Sequence, residues 1–320
     1  MTLVAALFVA AVSLPGGPPV GMDYLAYDAA TDRVWVPAGN TGSVDVVDAA
    51  TGKVGVIGGF PTAPARRPGR PRVGPSSATV AGGVVWIGNR ADNRVSAFDA
   101  KTLAPRASFH LSSMPDGLQY VAATRELWIT TPGAHAITIV GVARKEPTPP
   151  ATVALDGEPE GLSVDDARGV FYTNLEDKDQ TLAIDVRTRK VVGRWPAGCG
   201  EDGPRGLELD EKRGWLFVAC TNGARVLSVP SGKQLGRVVT GGGVDNLAYD
   251  PARRTLFVAS AKDGTLVKAS VSDDGTLHAS APVPTAPGAR NPVVDARGTV
   301  FVEDREGGKL LVLRPDDVVH

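Results

Sequence analysis

Histidine is scarce in this sequence and cysteine nearly absent. The four His, at 110, 135, 278 and 320, are scattered along 320 residues, so nothing in their spacing suggests a His-built zinc or copper centre. The two Cys, Cys199 and Cys220, are too few for a Cys-rich metal site and lack the C-x-x-C spacing of a thioredoxin-like motif. An excess of one charge is missing too. With 34 Lys and Arg against 35 Asp and Glu, the net charge is -1 at pH 7, and no overall field draws the chain to nucleic acid or an anionic membrane. The apolar run "MTLVAALFVAAVSLPGG" at 1–17 is too short to span a bilayer, so no membrane span is expected. It has the length of a signal-peptide core, but no Lys or Arg precedes Arg33, and the basic n-region of such a peptide is missing. Helical periodicity with caps is also absent, so few helices are expected.

What the chain does have is turn residues and repetition. The 38 Gly and 25 Pro run among charged and apolar residues, and 42% of the chain is hydrophobic. That is the composition of a turn-rich protein with a sizeable core, and the length suits one large all-β unit. "GMDYLAYD" at 21–28 returns as "GVDNLAYD" at 243–250. Aligned on Asp23, further copies fall at Ser76, Asp116, Glu160, Arg205, Asp245 and Arg290. Seven copies of about 40–45 residues have the period of a four-stranded propeller blade, with blades starting near 22, 75, 115, 159, 204, 244 and 289.

Each copy has the same parts. A short first strand ends, in five copies, on Asp28, Asp165, Asp210, Asp250 or Asp295, read as an Asp that folds back on the next amides in a turn. A second strand carries an aromatic at one repeat position in every copy: Trp35, Trp86, Trp128, Tyr172, Phe217, Phe257 and Phe301. Rings at one repeat position fill the gap between blades. A third strand, a turn such as "AATGK" and a fourth strand such as "VVGRW" follow. The seventh copy runs out after its third strand, "KLLVL", while "VAAVSLPGG" near the N-terminus reads like a fourth strand. The expectation is one all-β domain over 1–320, a seven-bladed β-propeller. Residues 8–14 would be the buried outer strand of the last blade, closing the ring and removing an open edge. A longer precursor with a signal upstream of Met1 stays open.

"FYTN" at 171–174, "FVACTN" at 217–222 and "GSVDVVDAATGKV" at 42–54 carry a resemblance. The chain resembles the YVTN-repeat, YncE-like seven-bladed propellers of bacteria. The resemblance implies a periplasmic or extracellular (secreted) protein with a binding role, and it brings no catalytic motif that could be transferred residue by residue.

First strands line a propeller's central channel. The repeat column therefore becomes a ring at one mouth: Asp23, Ser76, Asp116, Glu160, Arg205, Asp245 and Arg290. The next column is Tyr24, Ser77, Gly117, Gly161, Gly206, Asn246 and Asn291. Loops between second and third strands open on the same face with Asn40, Asn89, Asp92, Asn174, Glu176, Asp177, Cys220 and Asn222. Inward charges must be paired, solvated or bound to something. One reading is an Asp/Glu–Arg network around a watery pore. In a second, Asp116, Glu160, Asp245, Asn246 and Asn291 offer oxygens to Ca²⁺ or Mg²⁺, which could assist a lactonase- or esterase-like hydrolase or a lyase. In a third, Arg205 and Arg290 fork a carboxylate or phosphate. The leading expectation is a monomeric binding or scaffold protein. Its small polar molecule or ion would sit among Asp23, Tyr24, Asp116, Glu160, Arg205, Asp245, Asn246, Arg290 and Asn291.

Four other segments stand out. "GCGEDGPRG" at 198–206 is a long, polar lead-in, and "NLEDKDQ" at 174–180 reads as a solvated loop without Ca²⁺-loop spacing. "ARRPGRPR" at 65–72 and "KEPTPP" at 145–150 read as exposed loops. Cys199 and Cys220 become neighbours if their strands pair as a hairpin. They would form either a disulfide, in an oxidising compartment, or a thiol at the mouth.

Overall fold

The computed structural model describes residues 10–65, 69, 71–143 and 146–315. Seven antiparallel sheets follow one another around a ring, six of them with their strands in sequence order from the channel outward. Blade 1 shows the pattern: Ala26–Asp28, Arg33–Ala38, Ser43–Asp48 and Val54–Ile57. One 3₁₀ turn, Pro132–Ala134, lies among these strands. Blade 6 departs slightly. Its outermost strand is in two pieces, Leu277–Ala279 and Val283–Pro284, both paired with Thr265–Val271.

The N-terminal strand Ala10–Ser13 pairs antiparallel with Lys309–Leu313, so blade 7 takes its outer strand from the other end of the chain. The sequence reading made this strand buried, and that is corrected. Ala10, Ala11 and Ser13 are exposed and only Val12 is half-covered, because an outer blade strand lies on the rim with solvent on one side. Leu14, just past the strand, is the residue that enters the core. Residue 8, the expected start of this strand, lies outside the described residues.

Apolar burial is divided among the seven blade-to-blade seams. Each second-strand aromatic is buried, and each belongs to a different apolar cluster: Trp35 between blades 1 and 2, Trp86 between 2 and 3, and so on to Phe301 between 7 and 1. The repeat aromatic recurs at every seam, and in several seams a second ring packs on it, as Phe171 does on Trp128 and Tyr249 on Phe217, because large rings fill the widening gap between blades.

The turn aspartates do what their position suggests. Asp165 Oδ1 accepts from Arg168 N at 2.8 Å, Asp210 from Arg213 N at 3.0 Å and Asp250 from Arg253 N at 3.1 Å. The second oxygen of each takes the guanidinium of that same arginine, at 2.6, 2.8 and 2.8 Å. Each buried carboxylate thus has its charge matched within its own turn, which offsets the cost of burying it.

Candidate functional site

The lead-ins of neighbouring blades touch at one mouth of the channel. Tyr24 N donates to Ser76 O at 3.0 Å and Gly206 N to Asp245 O at 2.8 Å. This contact explains part of the second repeat column. A Cβ on Gly161 would stand 2.2 Å from Arg205 O, and one on Gly206 would stand 2.2 Å from Asn246 Oδ1. Glycine is required there by close approach, and side chains survive in the column only where the blades leave room, at Tyr24, Ser77, Asn246 and Asn291.

Tyr24 uses that room to cross the channel. Its hydroxyl lies 3.3 Å from Asp116 Oδ2 and 3.5 Å from Glu160 Oε1, on blades 3 and 4. Asp116 also pairs with Arg90, whose guanidinium reaches Asp23 at 2.8 Å. A second network lies on the opposite wall. Arg290 Nε is 3.3 Å from Asp245 and 3.7 Å from Glu303. Asn246 Nδ2 donates to Asn291 Oδ1 at 3.1 Å, and Asn291 Nδ2 to Glu303 at 3.1 Å. Arg205 pairs with Glu176, and its charge also helps hold Asp245 down.

Burial sets the protonation of this site. It drives the Glu160 carboxyl well above the usual range, and the neighbouring carboxylates Asp116, Asp245 and Asp23 push the same way. Asp116 is raised by burial and held back chiefly by Arg90; Asp245 is raised by burial and held back by Arg290. Tyr24 is raised well above the phenol range by burial, then by Asp116 and Glu160. Glu303 is raised by burial against the pull of Arg290. Carboxyls kept neutral in this way can donate hydrogen bonds, and a Glu160 bond of this kind helps hold Asp116 down.

Two spaces meet at this layer. Above it lies a vestibule of about 730 Å³ that includes Asp23, Arg90, Asp116, Arg290 and Arg305. Met22 and Met114 give the vestibule apolar wall. Below it, the channel holds a cavity of about 200 Å³ lined by first-strand residues of all seven blades. Asp23 borders both spaces, and Tyr24 stands between them.

The nine predicted site residues all lie around this mouth, but they do not converge on one point. Asp116 and Asp245 each face an arginine, Asn246 and Asn291 bond each other, and no three or more His, Cys, Asp or Glu among the described residues are grouped to hold a metal ion. Arg205 is engaged by Glu176, which lines the vestibule together with Arg290. The loop asparagines serve the backbone. Asn40 Oδ1 accepts from Gly21 N at 2.6 Å, and Asn174 Nδ2 donates to Arg205 O.

The loop at 174–180 is not merely solvated. Asp177 Oδ1 accepts from Glu158 N at 2.8 Å, and Asp179 takes Cys199 N at 2.8 Å and Gly200 N at 3.0 Å. It latches the polar lead-in of blade 5, which a disulfide between Cys199 and Cys220 also ties down. In the 65–72 insertion, Arg66, Arg67 and Arg70 lie outside the described residues. Ala65, Pro71 and Arg72 form vestibule wall and not free loop, and Arg72 is fixed by Thr62 at 2.9 Å.

Sequence reasoning missed Arg90, Glu303, Arg305 and Glu208. Arg90 follows Asn89 in a loop already assigned to this face, so the loop position was its signal. Glu303 and Arg305 occupy the corresponding stretch of blade 7.

No family model matches the sequence, and no curated protein matches it either. Solved structures do match in shape. A chain from the crystal structure of the mitotic checkpoint complex aligns with TM-score 0.77 at 13% identity, over 95% of this chain and 90% of that one. Kuenenia stuttgartiensis hydrazine synthase aligns with TM-score 0.76 at 16% identity, over 95% and 98%. Virginiamycin B lyase from Staphylococcus aureus aligns with TM-score 0.74 at 12% identity, over 96% and 98%. At these identities the likeness is one of fold, and propellers carry unrelated activities.

Proposed function

We propose that this protein is a ligand-binding propeller whose vestibule takes a small polar molecule bearing a carboxylate or phosphoryl group. The supporting observation is the state of Arg90 and Arg290. Arg90 is held by Asp23 and Asp116 through one terminal nitrogen and its buried Nε has no hydrogen-bond acceptor; the Nε of Arg290 faces Asp245 at 3.3 Å without completing a hydrogen bond, and both arginines border the vestibule. Arg305 adds a third guanidinium to the lining. The Arg90 and Arg290 side chains remain 23% and 34% exposed, and an anion in the vestibule would gain charge-assisted bonds from the open parts of their guanidinium groups. Met114, half-buried in the vestibule wall, offers apolar contact to the body of such a ligand.

The working location that fits best is outside the cytoplasm, in the periplasm or beyond. The Cys199–Cys220 bond supports this, since such bonds persist in oxidising compartments. Membership of the YVTN-type group is part of the same proposal and rests on the "FYTN" and "GSVDVVDAATGKV" stretches.

The test is calorimetric titration of the full chain with inorganic phosphate and a series of small carboxylates, repeated on Arg290→Lys. Lysine keeps the charge opposite Asp245 and loses the planar fork. At least one anion should bind saturably, with affinity about tenfold lower in the variant. If no anion binds, or the variant binds equally well, the vestibule is not an anion site.

A further inference from the structure

We propose that the channel below Tyr24 is a second binding site, separate from the vestibule, and that it takes a small organic ammonium with an apolar body. The first observation is a break in the repeat. Glu208 is registered opposite the blade 5 aromatic, Phe217. At that register the other blades carry Ala26, Thr79, Gln119, Ser163, Ala248 and Val293. Six neutral residues show that the fold needs no charge there, so Glu208 is an addition to the architecture.

The second observation is the surroundings of Glu208. Its carboxyl makes no hydrogen bond or ion pair with any described residue, and burial alone pushes it up to about 8. No basic side chain lines the cavity. The other ionisable groups there are Asp23, tied to Arg90, and Tyr24. An unpaired, half-buried carboxyl that faces a cavity with no basic lining residue attracts a cation.

The third observation is the wall chemistry. One register position earlier, Leu25, Leu118, Leu162, Leu207 and Leu247 form an apolar belt around the same cavity. Thr79, Gln119 and Ser163 add neutral oxygens. A cavity of about 200 Å³ would hold six or seven waters at about 30 Å³ each, which is room for an amine with a short alkyl chain. The belt favours such a body over a bare inorganic cation, which wants hard oxygen ligands on all sides. A ligand cation takes its counter-charge from Glu208 and buries its chain against leucine. Sharing no lining residue but Asp23 with the vestibule, this site stands or falls independently of anion binding above.

The experiment titrates n-butylammonium chloride into the full chain by calorimetry at about pH 9, where Glu208 is ionised and the amine still largely charged. n-Butanol and potassium chloride at matched ionic strength are run alongside. Expected is saturable binding of the ammonium, weak or no binding of the alcohol and of potassium, and at least about tenfold loss in Glu208→Gln. In the wild-type chain, affinity should also fall as the pH drops from about 9 to about 6, a readout that does not depend on the variant folding. Equal binding by Glu208→Gln, binding that ignores pH, or no saturable binding at all would overturn the assignment. Binding of potassium as strong as that of the ammonium would overturn the ligand class.

Discussion

The Tyr24 hydroxyl lies 3.3 Å from Asp116 Oδ2, across 92 positions of sequence. Blades 1 and 3 are not neighbours in the ring, so this contact spans the channel and makes the phenol ring a partition between vestibule and lower channel.

Replacing Tyr24 by Asn, the residue at the same place in blade 6, should remove the partition. The ring's packing is lost and a void joins the two spaces, so a cost of about 2–4 kcal/mol is expected. Tyr24→Phe keeps the ring, loses one hydroxyl and should cost about 1 kcal/mol. Urea denaturation of both variants checks the order. Equal midpoints for Tyr24→Asn and the wild type would mean that the ring does not fill the channel.

Glu208 should give stability a pH dependence of definite sign. Its folded-state pKa is raised from 4.5 to about 8, so between those values the folded protein holds a proton that the unfolded chain releases. Its contribution is fully present below about pH 4.5 and is lost as pH rises through about 8. Wild type should therefore lose up to a few kcal/mol relative to Glu208→Gln between about pH 5 and pH 8, measured as the difference between their urea curves. A constant difference across that range would contradict the raised value.

Breaking the Cys199–Cys220 bond opens a loop whose ends are 21 residues apart. The chain-entropy cost is about 3 kcal/mol. The double serine variant should show that loss in denaturant. Because the bond ties down the lead-in to Arg205, hydrogen exchange should speed up in 198–206 before it does in other blades.

Removing residues 1–14 should leave the strand Lys309–Leu313 with an unpaired edge and take Leu14 out of the blade 7–blade 1 core. Lower stability and concentration-dependent association are expected, read by light scattering with thermal unfolding. A truncated chain that stays monomeric and equally stable would show that the ring closes without this strand.

Blade number, strand order, ring closure and the seam aromatics were legible in the sequence. Alternation, turn aspartates and an aromatic at one repeat position are local signals, and they recur at an interval that only one architecture satisfies. The mouth was legible as a place: Asp23, Asp116, Asp245 and Arg290 all face it. Their partners were not legible. Arg90 comes from a loop outside the aligned column, Glu303 from a second strand, and Arg205 pairs with Glu176. Which charges meet depends on which side chains close the ring brings within a few ångströms, across up to 136 positions for Tyr24 and Glu160. Sequence by itself determined that seven similar blades surround a polar channel. Only the tertiary structure decided that a tyrosine divides that channel, with paired arginines above and a lone carboxyl below, because pairing and burial are set by distances that no repeat register encodes.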